Sequence, residues 1–184
     1  DQRAESEMKV HGQRPVVVSD AYDGCMSDHS RGAAAAQSGG PAPVPVRILF
    51  ICMGNICRSP TAEAVMRHIV RQEGLEDRVR VSSAGTGDWH VGAPRDKRSQ
   101  AVGAARGIPL SGRARQFTSA SFEGCDYVLA MDRANRDELW RLARTEADRG
   151  KIALLRSFDP DAPRDAEVPD PYYGGARGFE EVFD

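Results

Sequence analysis

The chain has 184 residues, 40% of them hydrophobic, and a formal net charge of −2. That length suits one ordinary domain with a buried core plus a tail, and the near-neutral balance excludes the basic face that bulk nucleic-acid binding needs. No stretch of about 18 apolar residues occurs, so no membrane-spanning helix is expected. Of the 25 basic residues only Lys9, Lys97 and Lys151 are lysines, leaving 22 arginines. With the many alanines, this reads as a genomic composition bias rather than an anion-binding surface.

Residues 1–45 read as a disordered or weakly ordered N-terminal extension. They run through polar residues into Ala33–Pro43, a Gly-, Ala- and Pro-rich stretch that cannot bury enough apolar area to offset chain entropy. Val16–Val18 is its one apolar island and could pair as an edge strand. The start has no charged segment followed by an apolar run, so no signal peptide is expected. Because it begins at Asp1 rather than Met, the chain is expected to be trimmed or a fragment. Four cysteines, Cys25, Cys52, Cys57 and Cys125, are too few and too uneven for a disulfide scaffold, which points to a reducing, cytoplasmic setting.

From Val46 the texture changes. Val46–Cys52 is a short apolar run rich in β-formers, a buried strand ending at Gly54. Ser59 and Pro60 then suit an N-cap and first helical position, and Ala62, Val65, Met66 and Ile69 recur at helical spacing. Strands are expected at Arg78–Ser83, Cys125–Met131 and Lys151–Leu155, and helices at Asp96–Arg106 and Arg133–Arg144. This alternation predicts an α/β fold, a three-layer sandwich with a four-stranded parallel sheet flanked by helices. Ligands on such sheets bind beyond the carboxyl ends of the strands, where the loop after Cys52 lies.

That loop, Cys52-Met53-Gly54-Asn55-Ile56-Cys57-Arg58-Ser59, fits C-x5-R-S. A thiolate at a strand end can attack phosphorus. Five residues between it and the arginine can turn their backbone N–H groups inward as an anion nest, and the next helix adds its positive end. Arg58 supplies a planar fork for two phosphate oxygens. Gly54 and Asn55 tolerate the left-handed conformations a tight loop needs. Ser59 can donate a hydrogen bond to the sulfur. Two other readings compete: Cys-x4-Cys as half of a zinc site, for which no second Cys/His pair offers itself, and two cysteines as core filler.

At these residues the chain resembles the low-molecular-weight protein tyrosine phosphatase family. The likeness extends through Ser83-Ala84-Gly85-Thr86 with Trp89, Ala114-Arg115-Gln116, Asp126–Asp132 and Val168-Pro169-Asp170-Pro171-Tyr172-Tyr173-Gly174, and so covers residue 46 to the end. It implies a domain over 46–184 that binds phosphate through Met53, Gly54, Asn55, Ile56, Cys57, Arg58 and Ser59. Cys52 would be the nucleophile, Arg58 the transition-state clamp and Asp170 the general acid. Asn55, Ser59 and Ser83 would support the loop, while Ile56, Trp89, Tyr172 and Tyr173 would form the substrate pocket. Cys57 would be a redox partner of Cys52. The resemblance implies no cofactor and no metal. It implies a tyrosine-phosphorylated protein as substrate, a bacterial tyrosine kinase among the candidates, and a monomer or weak dimer.

Ile56 cannot hydrogen-bond a guanidinium but can pack on a ring, which favours phosphotyrosine over phosphoarginine. A thiol-dependent arsenate reductase would need further cysteines, and Cys125 is alone. A silent phosphotyrosine-binding module would not need all three catalytic residue types. Two departures from the family pattern stand out. Gly112 replaces a histidine that supports the phosphate loop in many members, so other bonds must do so or the loop is softer. The chain also stops at Asp184, where the family continues into a long final helix, so most of that helix is expected to be absent and one apolar face uncovered.

Overall fold

The computed structural model describes residues 44–173 and 175–184. The expectations for the N-terminal extension, Val16–Val18 and Cys25 lie outside the described residues, as does Gly174.

Four strands, β1 (Val46–Cys52), β2 (Val79–Gly85), β3 (Tyr127–Ala130) and β4 (Ile152–Leu154), pair in parallel in the order β2-β1-β3-β4. Parallel neighbours need crossovers, and helices α1 (Arg58–Gln72), α2 (Lys97–Ala105) and α3 (Arg133–Leu142) lie in them. The chain leaves β1 towards β2, then crosses to β3 on the other side, so its direction across the sheet reverses at β1. The carboxyl end of β1 is therefore the crevice of this fold.

Side chains of β1 alternate between the two faces. Leu49 and Ile51 join Phe117, Phe122, Val128, Leu139 and Leu154 in one core cluster. Phe50 and Cys52 join Val70, Val81, Leu129 and Met131 in the other, with Ala62 and Met66 of α1 packed against it. Helices on both faces make the expected three layers. Among the described residues no helix is long and apolar enough to cross a membrane.

Several boundaries differ from expectation. Ser59 is not the N-cap of α1: Cys57 holds that position and makes no side-chain cap bond. Ser59 sits inside the first turn, fully buried, because its hydroxyl is engaged by the loop instead. β2 runs on to Gly85 and β3 is only four residues long. A short helix α4 (Glu146–Arg149) was not anticipated, although Thr145 and Asp148 form a capping box around it. A single turn carries too little apolar periodicity to show. Helix α5 (Ala176–Phe183) packs on α1 and α2 with Phe179 buried. Beside it an open groove of about 450 Å³ is lined by Phe50, Met66, Ile69, Phe158, Val168 and Phe183.

Phe117 and Phe122 meet edge to face, with centroids 4.9 Å apart, in the α3-side core. Phe122→Ala should therefore destabilise the fold by about 3–5 kcal/mol, read as a lower urea midpoint with an unchanged slope.

Candidate active site

The loop between β1 and α1 is pinned from behind. The carbonyl of Cys52 accepts from Thr86 N–H and that of Met53 from Gly87 N–H, each at 2.9 Å. The Asn55 carbonyl accepts from Arg95 Nη1 at 2.6 Å, and that of Ile56 from Asp96 N–H at 2.9 Å. In a trans peptide the C=O and N–H point in opposite directions. Carbonyls drawn outward thus turn the N–H groups of Met53, Gly54, Ile56 and Cys57 inward, towards the space over Cys52. That is an anion nest, standing at the N-terminus of α1.

Asn55 carries the turn. It is fully buried, and its φ of 53° is the only left-handed value of a non-glycine among the described residues. Its side chain makes this tenable: Nδ2 donates to Ser59 Oγ (2.9 Å) and Ser83 Oγ (2.8 Å), and Oδ1 accepts from Arg95 Nη1 (2.8 Å) and Arg115 N–H (3.0 Å). Of the two residues that tolerate left-handed backbone, Asn55 adopts it and Gly54 does not. A Cβ there would come within 2.8 Å of His90 Cδ2, so a larger residue at Gly54 would have to displace the His90 ring.

Cys52 is buried at the floor. Its sulfur lies 3.0 Å from Ser59 Oγ and 3.3 Å from the Asn55 nitrogen, which donates to it. Arg58, only 3% exposed, points both arms at carboxylates: Nη1 donates to Asp132 Oδ2 at 2.5 Å and Nη2 to Asp170 Oδ2 at 2.7 Å. Nη1 also donates to the Val168 carbonyl (3.2 Å), while Val168 N–H donates to Met131 O (2.8 Å). The segment bearing Asp170 is so tied to the end of β3. The other Asp170 oxygen accepts from Tyr172 N–H at 3.0 Å.

Cys52, Arg58 and Asp170 line one cleft of about 310 Å³, together with Met53, Gly54, Ile56, Cys57, Trp89, His90, Tyr172 and Tyr173. Trp89 is 63% exposed, Tyr172 40% and Tyr173 93%, so the aromatic residues form a rim rather than a buried wall. Tyr172 is held by Arg98, which stacks over its ring at 5.3 Å and donates to its carbonyl.

Cys57 is chemically unlike Cys52 in its surroundings. Burial, then the charge of Asp96, push its thiol up to about 12, so at neutral pH it stays protonated and a poor nucleophile. Burial also raises the Cys125 thiol, remote from the cleft near Ser121 and Phe122.

The cleft thus unites the expected Cys52, Arg58, Asp170, Ile56, Trp89, Tyr172 and Tyr173. Ser59 and Ser83 lie behind it. Sequence reasoning missed Asp132, Arg95, Arg115, Glu63 and His90 as site residues. Arg115 and Asp132 left a signal in lying within segments of the family likeness, and Asp132 also precedes α3 as its N-cap, bonding Asn135 N–H at 2.7 Å.

The family model for low molecular weight phosphotyrosine protein phosphatase matches residues 47–184. The chain belongs to this family. It is 51% identical over 139 residues to a low molecular weight protein-tyrosine-phosphatase of Streptomyces coelicolor, covering 75% of this chain and 85% of that one. It is 42% identical over 137 residues to the human low molecular weight phosphotyrosine protein phosphatase, covering 74% and 85%. The crystal structure of a protein tyrosine phosphatase from Entamoeba histolytica, with Hepes in its active site, superposes with a TM-score of 0.71 at 40% identity, covering 75% and 87% of the two chains.

Iodoacetamide at pH 7.5 should label Cys52 of the folded phosphatase and leave Cys57 and Cys125 unmodified. Cys57 should react more slowly than an exposed cysteine at every pH at which the protein stays folded. Peptide mapping by mass spectrometry at several pH values checks both expectations.

Proposed function

We propose that this chain hydrolyses phosphotyrosine in proteins, and small aryl phosphates, through a cysteinyl-phosphate intermediate. The observation that carries the reading is the convergence of Cys52, the inward N–H groups, Arg58 and Asp170 on one cleft of a chain of this family. The substrates are tyrosine-phosphorylated proteins, with a bacterial tyrosine kinase among the candidates, in a reducing cytoplasm that keeps Cys52 a thiol.

In the first step the Cys52 thiolate attacks phosphorus. The S–P bond forms as the bond from phosphorus to the phenolic oxygen breaks, and protonated Asp170 gives its proton to the departing oxygen. The loop N–H groups bind the equatorial oxygens, where charge gathers in the transition state, together with Arg58, whose Nη2 leaves Asp170 Oδ2 for a phosphoryl oxygen. In the second step Asp170, now a carboxylate, takes a proton from water. That water attacks phosphorus, the S–P bond breaks, and inorganic phosphate leaves.

Ser59 manages the sulfur's charge. A hydroxyl has one proton, and Ser59 Oγ has two acceptors within reach, Ala84 O at 3.2 Å and Cys52 Sγ at 3.0 Å. Donation to the sulfur stabilises the thiolate released in the second step. Asp132 holds one arm of Arg58 and so orients the fork. Cys57 remains the proposed partner for a reversible disulfide with Cys52. Its protonated thiol makes it the slow member of that pair.

Ile56 and the aromatic rim support an aryl substrate. An isoleucine on the cleft wall packs against a ring and offers a guanidinium no hydrogen bond. Ile56→Thr should therefore raise the ratio of kcat/KM on phosphoarginine to that on phosphotyrosine, measured with both substrates under one buffer. An unchanged ratio removes Ile56 from the specificity argument.

Cys52→Ser should reduce turnover of p-nitrophenyl phosphate to background, and Asp170→Ala should lower kcat by about 10²–10⁴-fold. A folded, reduced wild type with no turnover would overturn the enzymatic reading.

A further inference from the structure

Arg95 is the one charged side chain besides Arg58 that the described residues bury almost completely, at 6% exposed. A buried guanidinium is costly unless its donors are all aimed at acceptors. Here one arm is aimed at the phosphate loop and the rest of the fork at its surroundings. Nη1 donates to both the carbonyl (2.6 Å) and the side-chain oxygen (2.8 Å) of Asn55, and Nε donates to the Ser111 carbonyl at 3.1 Å. Its carboxylate neighbour, Glu63, is farther off, with Nη2 3.8 Å from Oε2. Glu63 is occupied by Arg67 and by the hydroxyl of Ser83, which itself receives Asn55 Nδ2. The guanidinium therefore serves Asn55 first and the ion pair second.

The backbone bearing Arg95 is held independently. Pro94 pairs with Arg113 in an antiparallel bridge, Ala114 N–H donates to Ala93 O at 2.9 Å, and Gln100 Nε2 donates to Arg95 O at 2.6 Å. The next residue, Asp96, ties its N–H to Ile56 O at 2.9 Å. Gly112 completes the arrangement. Its φ of +85° suits glycine, and a Cβ there would already touch Arg95 Nη2 at 3.5 Å. The guanidinium of Arg95 thus lies directly against the bare Cα of Gly112.

We propose that Arg95 is a positioning residue for the phosphate loop, locking the left-handed turn at Asn55 and so fixing the geometry that the loop presents to a phosphoryl group. The proposal rests on the phosphatase reading above. Without the guanidinium, the buried Asn55 carbonyl loses its donor, and its peptide plane is no longer held with the Ile56 N–H facing Cys52. The loop then loses transition-state fit more than ground-state affinity, since tetrahedral phosphate is held largely by charge whereas the trigonal-bipyramidal array needs the N–H groups in register. A lysine would keep the charge but not the fork that spans Asn55 and Ser111.

The test compares wild type, Arg95→Met and Arg95→Lys by kinetics on p-nitrophenyl phosphate and by calorimetric binding of vanadate and inorganic phosphate. Arg95→Met should lose tenfold or more in kcat, with KM changed less than threefold. Its vanadate affinity should fall about as much as kcat, and its phosphate affinity far less. Arg95→Lys should show the same pattern with a smaller loss, of threefold or more, and serves as the deciding variant if Arg95→Met does not fold. Native kcat and native vanadate affinity in a folded variant would overturn the proposal, as would equal losses of vanadate and phosphate. An inactive wild type would sink the phosphatase reading instead, and the ratio of vanadate to phosphate affinity would still judge Arg95.

Discussion

The outward pull on the loop carbonyls is the constraint on which this structure depends. Thr86, Gly87, Arg95 and Asp96 each donate to a carbonyl between Cys52 and Ile56. Because a peptide's two polar groups oppose each other, every such bond also aims an N–H at the cleft. The nest is therefore built from behind. Its donors come from segments that follow β2 and precede α2, far from the cysteine in sequence.

Building it that way concentrates polar groups in the interior. Asn55, Ser59, Ser83, Arg58 and Arg95 are all buried. Among the described residues no buried side-chain nitrogen or oxygen lacks a partner. Such a network rigidifies only when every member is satisfied, and removing one leaves another unpaired at about 1–3 kcal/mol. Asn55 shows the economy of it: one amide bridges α1 through Ser59, β2 through Ser83, the segment before α2 through Arg95, and the segment beside the end of β2 through Arg115.

The charged groups follow the same logic. Arg58 is inaccessible to bulk water, so its charge must be met locally, and Asp132 and Asp170 do so. One of these carboxylates also caps α3, and the other sits on the segment tied to β3 through Val168. The fork that would hold a phosphoryl group is thus oriented by the sheet rather than by the loop alone. Arg98 extends the arrangement outward. It stacks on both Tyr172 and Phe179, linking the cleft rim to α5.

Much of this was legible in the chain. The VRILFIC run at Val46–Cys52 fell on β1 residue for residue, since its second half, Leu49–Cys52, is buried on both faces and leaves a continuous apolar signature. Strand–helix alternation implied the parallel order, and C-x5-R-S located the loop, because local spacing dictates what a tight turn before a helix can do. What the sequence could not determine was the company the loop keeps. Arg95, Arg115, Glu63 and Asp132 lie 8 to 77 residues from Asn55 in sequence, the two nearest being an ordinary helix residue and an ordinary loop residue by every local criterion. Gly112 likewise read as a missing support, whereas the fold places a guanidinium from another segment beneath the loop. Local patterns fix strands, helices and the turn itself through short-range sterics and burial. Which distant donor meets a buried carbonyl is decided only when the sheet order and crossovers bring the segments together.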